Sequence, residues 1–245
     1  MKTAETPFLG SNFSLGLRDG LPIALGYIPA AITFGFIAQT TGLTPVESVM
    51  MSLLVFAGAA QFMALSLLAA GTGSLEIIFT TFIVNIRHLL MSASLNENAM
   101  DDNPWKKAGY AFGITDEVFA VTATKEDSVH TGYIYGVFII SYASWVVQTG
   151  VGYAVGGLLP ATIQQSLMFA LYALFIALLA PALKRQRKVL VLAAASAVLN
   201  SLFSLFLDTG WAIILSTTIA ATVVEWIAPA QKRPSGGTST QRRST

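Results

Sequence analysis

The residues best suited to chemistry are polar groups set inside long apolar stretches. Asn85, Arg87, His88 and Ser92 fall together in the run NIRHLLMS. Asn85, His88 and Ser92 recur at i, i+3 and i+7 and so share one helix face, with Arg87 on an adjacent face. An arginine this deep in an apolar segment is rare and points to function. Its guanidinium fork matches a carboxylate, either a substrate's or that of a buried acid. His88 suits proton transfer, because an imidazole titrates near neutral pH. Asp116 and Glu117 form the matching acidic element in GITDEVFA. Such acids accept a coupling proton, bind a substrate amine, or pair structurally with Arg87.

Five further positions extend the candidate site. Pro29 follows Tyr27 in the run LPIALGYIP. It either kinks a helix or breaks it, and a break exposes backbone carbonyls and a helix N-terminus able to hold an anion. Gly58 lies in FAGAAQF, whose small residues let another backbone approach. Gln61 in the same run needs a partner, from a neighbouring helix or a substrate. Asn200 is a weaker polar group of the same kind. Substrate binding is therefore expected at Tyr27, Pro29, Gly58, Gln61, Asn85, Arg87 and Asn200, and proton coupling at His88, Asp116 and Glu117. No catalytic set, metal site or cofactor is expected. The chain has no Cys and only two His, which excludes thiolate and His-rich metal centres. There is no phosphate-binding glycine loop of the Walker type, so ATP-driven transport by this chain alone is not expected. A net charge of +1 gives no reason to expect nucleic acid.

The elements that position these groups must be membrane helices. Hydrophobic residues make up 54% of the chain and charged residues only 11%, with mean hydropathy +0.64. Soluble domains carry roughly 25% charged residues, so there are too few here to cover a soluble surface. Backbone polar groups in lipid must be satisfied internally, which selects helices. Charge-free stretches place spans near residues 21–39, 46–70, 75–95, 189–207 and 211–228, with two more inside 128–183. Residues 96–107 read as a loop. Residues 108–124 are ambiguous: the acid pair sits at their middle, which suits either a re-entrant or interfacial helix or a span facing a wet cavity. Residues 231–245 read as a disordered cytoplasmic tail.

Residues 21–95 align with 136–210 without gaps, pairing Tyr27 with Tyr142, Gly35 with Gly150 and Asn85 with Asn200. The turn Gly42-Leu43-Thr44-Pro45 recurs as Gly157-Leu158-Leu159-Pro160. The expected fold is thus an all-α polytopic membrane protein built from two three-helix repeats. They are joined by a linker at residues 96–130 and followed by a last helix at 211–228. Lys184, Arg185, Arg187, Lys188 and the basic tail place the C-terminus in the cytoplasm. If residues 108–124 do not cross, there are seven transmembrane helices and the repeats are inverted, as in many transporters. If they cross, there are eight.

The runs FAGAAQF, NIRH and TDEVFA, with RDGLP and YIP before them, resemble the AzlC family, in the expected order and over about residues 17–228. The resemblance implies a large subunit of a bacterial branched-chain amino acid exporter in the cytoplasmic membrane. It also implies a small AzlD-type membrane subunit as partner and secondary transport driven by proton motive force. It supplies no substrate-contact list, so the site residues rest on the physical reading above.

Overall fold

The computed structural model describes residues 9–100, 103–125, 129–185 and 187–227. Among them are ten α-helices, and the ordered chain is almost wholly helical. Four helices are long and apolar enough to cross a membrane: Asn12–Thr40, Ser74–Glu97, Thr131–Leu158 and Thr209–Ile227. The chain divides into two compact units, Met1–Ala180 and Pro181–Thr245.

The first unit is organised on α1 (Leu9–Thr40) and α7 (Thr131–Val155). Glycines bring the two backbones into direct contact. A Cβ on Gly16 would stand 2.2 Å from the Tyr133 carbonyl oxygen, and one on Gly35 would stand 2.1 Å from that of Thr149. Gly136 and Gly152 meet the α1 backbone at Phe13 and Ile32 in the same way. Small residues permit this approach, and close backbone packing replaces the hydrophobic drive that lipid removes. The Ser144 hydroxyl adds a 2.6 Å bond to the Ala24 carbonyl.

These contacts also fix direction: residue 16 meets 136 and residue 35 meets 152, so α1 and α7 run parallel. The inverted seven-span arrangement would set them antiparallel, because span 2 crosses there and residues 108–124 do not. Helices running the same way need an odd number of crossings between them.

Helix α1 passes Pro22 and Pro29 as one helix, so the break considered in span 1 is absent. A proline interior to a helix costs about 3 kcal/mol. The helix beyond Pro29 buries Ala30, Ala31 and Phe34 to 2% exposure or less. A break in lipid would leave further backbone groups unpaired at several kcal/mol each, so continuing the helix wins.

The break lies in span 2 instead. Helix α2 (Pro45–Leu54) starts on a capping box: Thr44 Oγ1 accepts from the Glu47 N–H at 3.2 Å, and Glu47 Oε2 accepts from the Thr44 N–H at 2.7 Å. It follows Gly42, whose φ of +94° favours glycine. Helix α3 (Gly58–Ala69) resumes after Val55–Ala57, where Val55 and Ala57 leave helical geometry. Helix α4 (Ser74–Asn98) then carries the Asn85–Ser92 stripe.

The ambiguous segment is two short helices, α5 (Pro104–Phe112) and α6 (Asp116–Ala123). Thr115 caps α6, its Oγ1 accepting from the Val118 N–H at 3.3 Å. The acid pair therefore sits in a first helical turn, where the helix dipole favours negative charge. Helix α8 (Ala161–Arg185) follows a short 3-10 turn and has no break to match that of α2–α3. In the second unit α9 (Arg187–Phe203) and α10 (Thr209–Ile227) pack as a hairpin, joined at the open end by the Lys188–Glu225 ion pair. The tail at 231–245 lies outside the described residues.

Candidate functional site

The two interrupted elements meet on α1 around a cleft open to one side. Its walls are Tyr27 and Ala30 of α1, Phe56–Ala59 and Phe62 at the α2–α3 break, Arg87 and His88 of α4, Thr115–Glu117 at the start of α6, and Trp145 of α7.

Each charged group has a defined support. Arg87 Nη1 lies 2.7 Å from Asp116 Oδ2, tying α4 to α6, and both side chains are partly exposed to the cleft. Tyr27, itself buried, donates its hydroxyl proton to Glu117 Oε2 at 2.7 Å. Thr115 Oγ1 lies 2.8 Å from the same hydroxyl. With the Tyr27 proton committed to Glu117, the Thr115 hydroxyl donates to Tyr27 while accepting from Val118 N–H. The chain Thr115–Tyr27–Glu117 thus fixes the carboxylate that faces the cleft beside the Arg87–Asp116 pair.

The opposite wall is apolar and aromatic. Tyr27 packs edge-on against Phe56 and Trp145, with ring centroids 6.1 and 5.2 Å apart. Gly58 is required by Trp145, whose Cη2 would lie 2.9 Å from a Cβ there. The first turn of α3 has no side-chain cap, so its N–H groups remain for water or a ligand at the cleft edge.

Behind the cleft, a buried polar network holds the α2–α3 break against α7. Gln61 Nε2 donates to Ser52 Oγ at 3.1 Å, and Ser52 Oγ lies 2.8 Å from Thr149 Oγ1. Trp145 Nε1 donates to Gln61 Oε1 at 2.9 Å. Tyr142 donates to the Leu53 carbonyl at 2.7 Å, satisfying an acceptor near the end of α2.

Of the residues expected from sequence, the cleft gathers Tyr27, Gly58, Arg87, His88, Asp116 and Glu117. Gln61 is fully buried and engaged by Ser52 and Trp145, so it stands behind the wall rather than in it. Pro29 is not a lining residue; its carbonyl accepts from Thr33 Oγ1 at 2.7 Å. Asn85 is also outside the lining, and its Oδ1 is buried without a partner. Asn200, whose Oδ1 is in the same condition, belongs to the second unit. Trp145 and Thr115 were not singled out from sequence. Trp145 had a readable signal, since it lies mid-span whereas Trp211 and Trp226 flank span 7 and Trp105 lies in the linker.

Residues 22–159 match the family described as AzlC protein. The chain is 35% identical to the inner membrane protein YgaZ of Escherichia coli over 192 residues, covering 75% of this chain and 78% of the relative. It is 37% identical to an uncharacterized membrane protein of Archaeoglobus fulgidus over 174 residues, 70% of this chain and 76% of the relative. It is 27% identical to the branched-chain amino acid transport protein AzlC of Bacillus subtilis over 174 residues, 69% and 66% of the two chains. No solved structure matches.

Proposed function

Because this chain belongs to the AzlC family, we propose that it exports branched-chain amino acids as the large subunit of a two-component secondary transporter driven by proton motive force. The carrying observation is the cleft, where one guanidinium and two carboxylates face an aromatic and small-residue wall at the junction of two interrupted helices. Transporters place substrate sites at such interruptions. A leucine, isoleucine or valine side chain suits the wall of Ala30, Phe56, Phe62 and Trp145, and the charged groups suit its polar end. The coupling proton is assigned to His88, which lines the cleft beside the charged groups. The relative named as a branched-chain amino acid transport protein supports the substrate class.

The parallel run of α1 and α7 supports the eight-crossing topology, with α2–α3 and α5–α6 as interrupted crossings. Pro45–Ala69 and Pro104–Ala123 have the length: about 20 helical residues span a bilayer core. Both termini are then cytoplasmic, in a bacterial inner membrane. The small AzlD-type subunit is the expected partner.

The test is flux. Proteoliposomes holding this chain and its small subunit are loaded with labelled leucine and given an imposed proton gradient. Gradient-dependent, ionophore-sensitive leucine movement is expected. Liposomes that move no leucine, isoleucine or valine refute the assignment.

A further inference from the structure

We propose that the cleft takes its solute as a zwitterion, with Arg87 holding the carboxylate and Glu117 the ammonium, while Asp116 is a positioning residue for Arg87. This rests on the transport reading and divides its charged groups by role.

The division comes from what each group already has. Arg87 uses Nη1 for Asp116, and its Nε, at another edge of the planar fork, is buried without a partner. A buried donor left unmade is destabilising, and in a native structure it needs an explanation. The Nε edge of a guanidinium is shaped for a two-pronged bond to a carboxylate. Asp116 is committed to Arg87. Glu117, the next residue on α6, points about 100° away around the helix. Its carboxylate accepts from Tyr27, and among the described residues no cation lies within ion-pair range of it. Arg87 thus keeps a donor edge without an acceptor, and Glu117 a carboxylate without a cation.

A zwitterion answers both at once. An amine alone leaves the Arg87 edge empty. A carboxylate alone adds a third negative group beside Glu117 and Asp116. An α-amino acid carries both charges on adjacent atoms and adds no net charge. Its aliphatic part then has the Phe56, Phe62 and Trp145 wall to lie against.

Three ligands that share the isobutyl group separate these requirements: leucine, 3-methylbutylamine and 4-methylpentanoate. Binding is measured to the full chain, reconstituted with its small subunit. Leucine is expected to bind at least ~10-fold more tightly than either analogue, the scale of one charge-assisted hydrogen bond. Glu117→Gln is expected to weaken leucine by about 10-fold and to close the gap to 4-methylpentanoate. Asp116→Asn is expected to weaken leucine while its preference over both analogues persists, and Asp116→Glu restores binding. Equal binding of leucine and either analogue to the unaltered protein overturns the proposal, and needs no variant to fold. Loss of discrimination in Asp116→Asn with Glu117→Gln unaffected overturns the division of roles. If the unaltered protein binds no leucine, the transport reading itself fails, which is a separate result.

Discussion

Trp145 Nε1 donates to Gln61 Oε1 at 2.9 Å, inside the packing between α7 and α3. The bond places an α7 side chain where it both closes the cleft and holds the interrupted helix behind it. Trp145→Phe keeps most of the ring and removes the donor, leaving Gln61 Oε1 buried and unpartnered. The expected loss is about 1–3 kcal/mol of stability. Gln61→Leu is expected to cost a similar amount, because it strands the Trp145 N–H. The double variant should lose less than the sum, by ~0.5–3 kcal/mol. Unfolding midpoints of the four proteins in one detergent complete the cycle, and strict additivity would show that the bond contributes nothing.

The α1–α7 contact predicts a sharp contrast among glycines. Gly35→Ala forces a Cβ against the Thr149 carbonyl and the Tyr153 nitrogen, both backbone atoms, so the helices must separate. Gly26→Ala meets nothing within 4 Å. Folded protein recovered from the membrane should fall severely for Gly35→Ala and remain near normal for Gly26→Ala. Equal yields would show that the two helices do not pack at this distance.

Removing one member of the Arg87–Asp116 pair should be worse for folding than removing both. Arg87→Gln leaves Asp116 without its cation and Asp116→Asn leaves Arg87 without its anion; each should lower the melting temperature. Arg87→Gln/Asp116→Asn should regain much of that loss, because neither partner then leaves the other's charge unpaired. Leucine flux should not return with it, and is expected to stay at least ~10-fold below normal. Recovery of flux with stability would make the pair purely structural.

Tyr27→Phe tests the support of the Glu117 carboxylate. It removes the donor to Glu117 and the partner of Thr115 while keeping the ring against Phe56 and Trp145. Leucine flux is expected to fall by about 10-fold, the scale of a hydrogen bond to a charged group, with little change in the amount of folded protein. Unchanged flux would show that the Glu117 carboxylate needs no such support.

The charged end of the cleft was legible because charge inside an apolar segment is conspicuous. Arg87, His88, Asp116 and Glu117 stand out against their neighbours, and the structure brings them together. The start of α6 carried a signal that went unused: Thr115-Asp116-Glu117 is a helix-capping signature, a hydroxyl followed by acids, yet the acid pair was set at the middle of residues 108–124. The position of the helix break was not. Local rules allow a kink or a break at Pro29, yet the chain breaks at Val55–Ala57, which contains no proline. That break is held by side chains distant in sequence, Tyr142 bonding Leu53 and Trp145 bonding Gln61. Tertiary contacts there override local propensity. The direction of α7 relative to α1 was equally hidden, because it depends on how many intervening segments cross. Asn85 and Asn200 pair in the sequence repeat, but neither lines the cleft.

The parallel glycine seam has a consequence for how the chain is built. Helix α1 is synthesised first, but the surface that fits it arrives only with α7, after residues 41–130 have been made. Throughout that interval the glycine face of α1 has no partner of its own. Closing so long a loop costs entropy before the contact repays it, and non-local pairing of this kind slows folding. The seam is therefore a late commitment in assembly. A lesion in Gly35 or Gly152 would first appear as a chain inserted but not closed, open to proteolysis across residues 41–130.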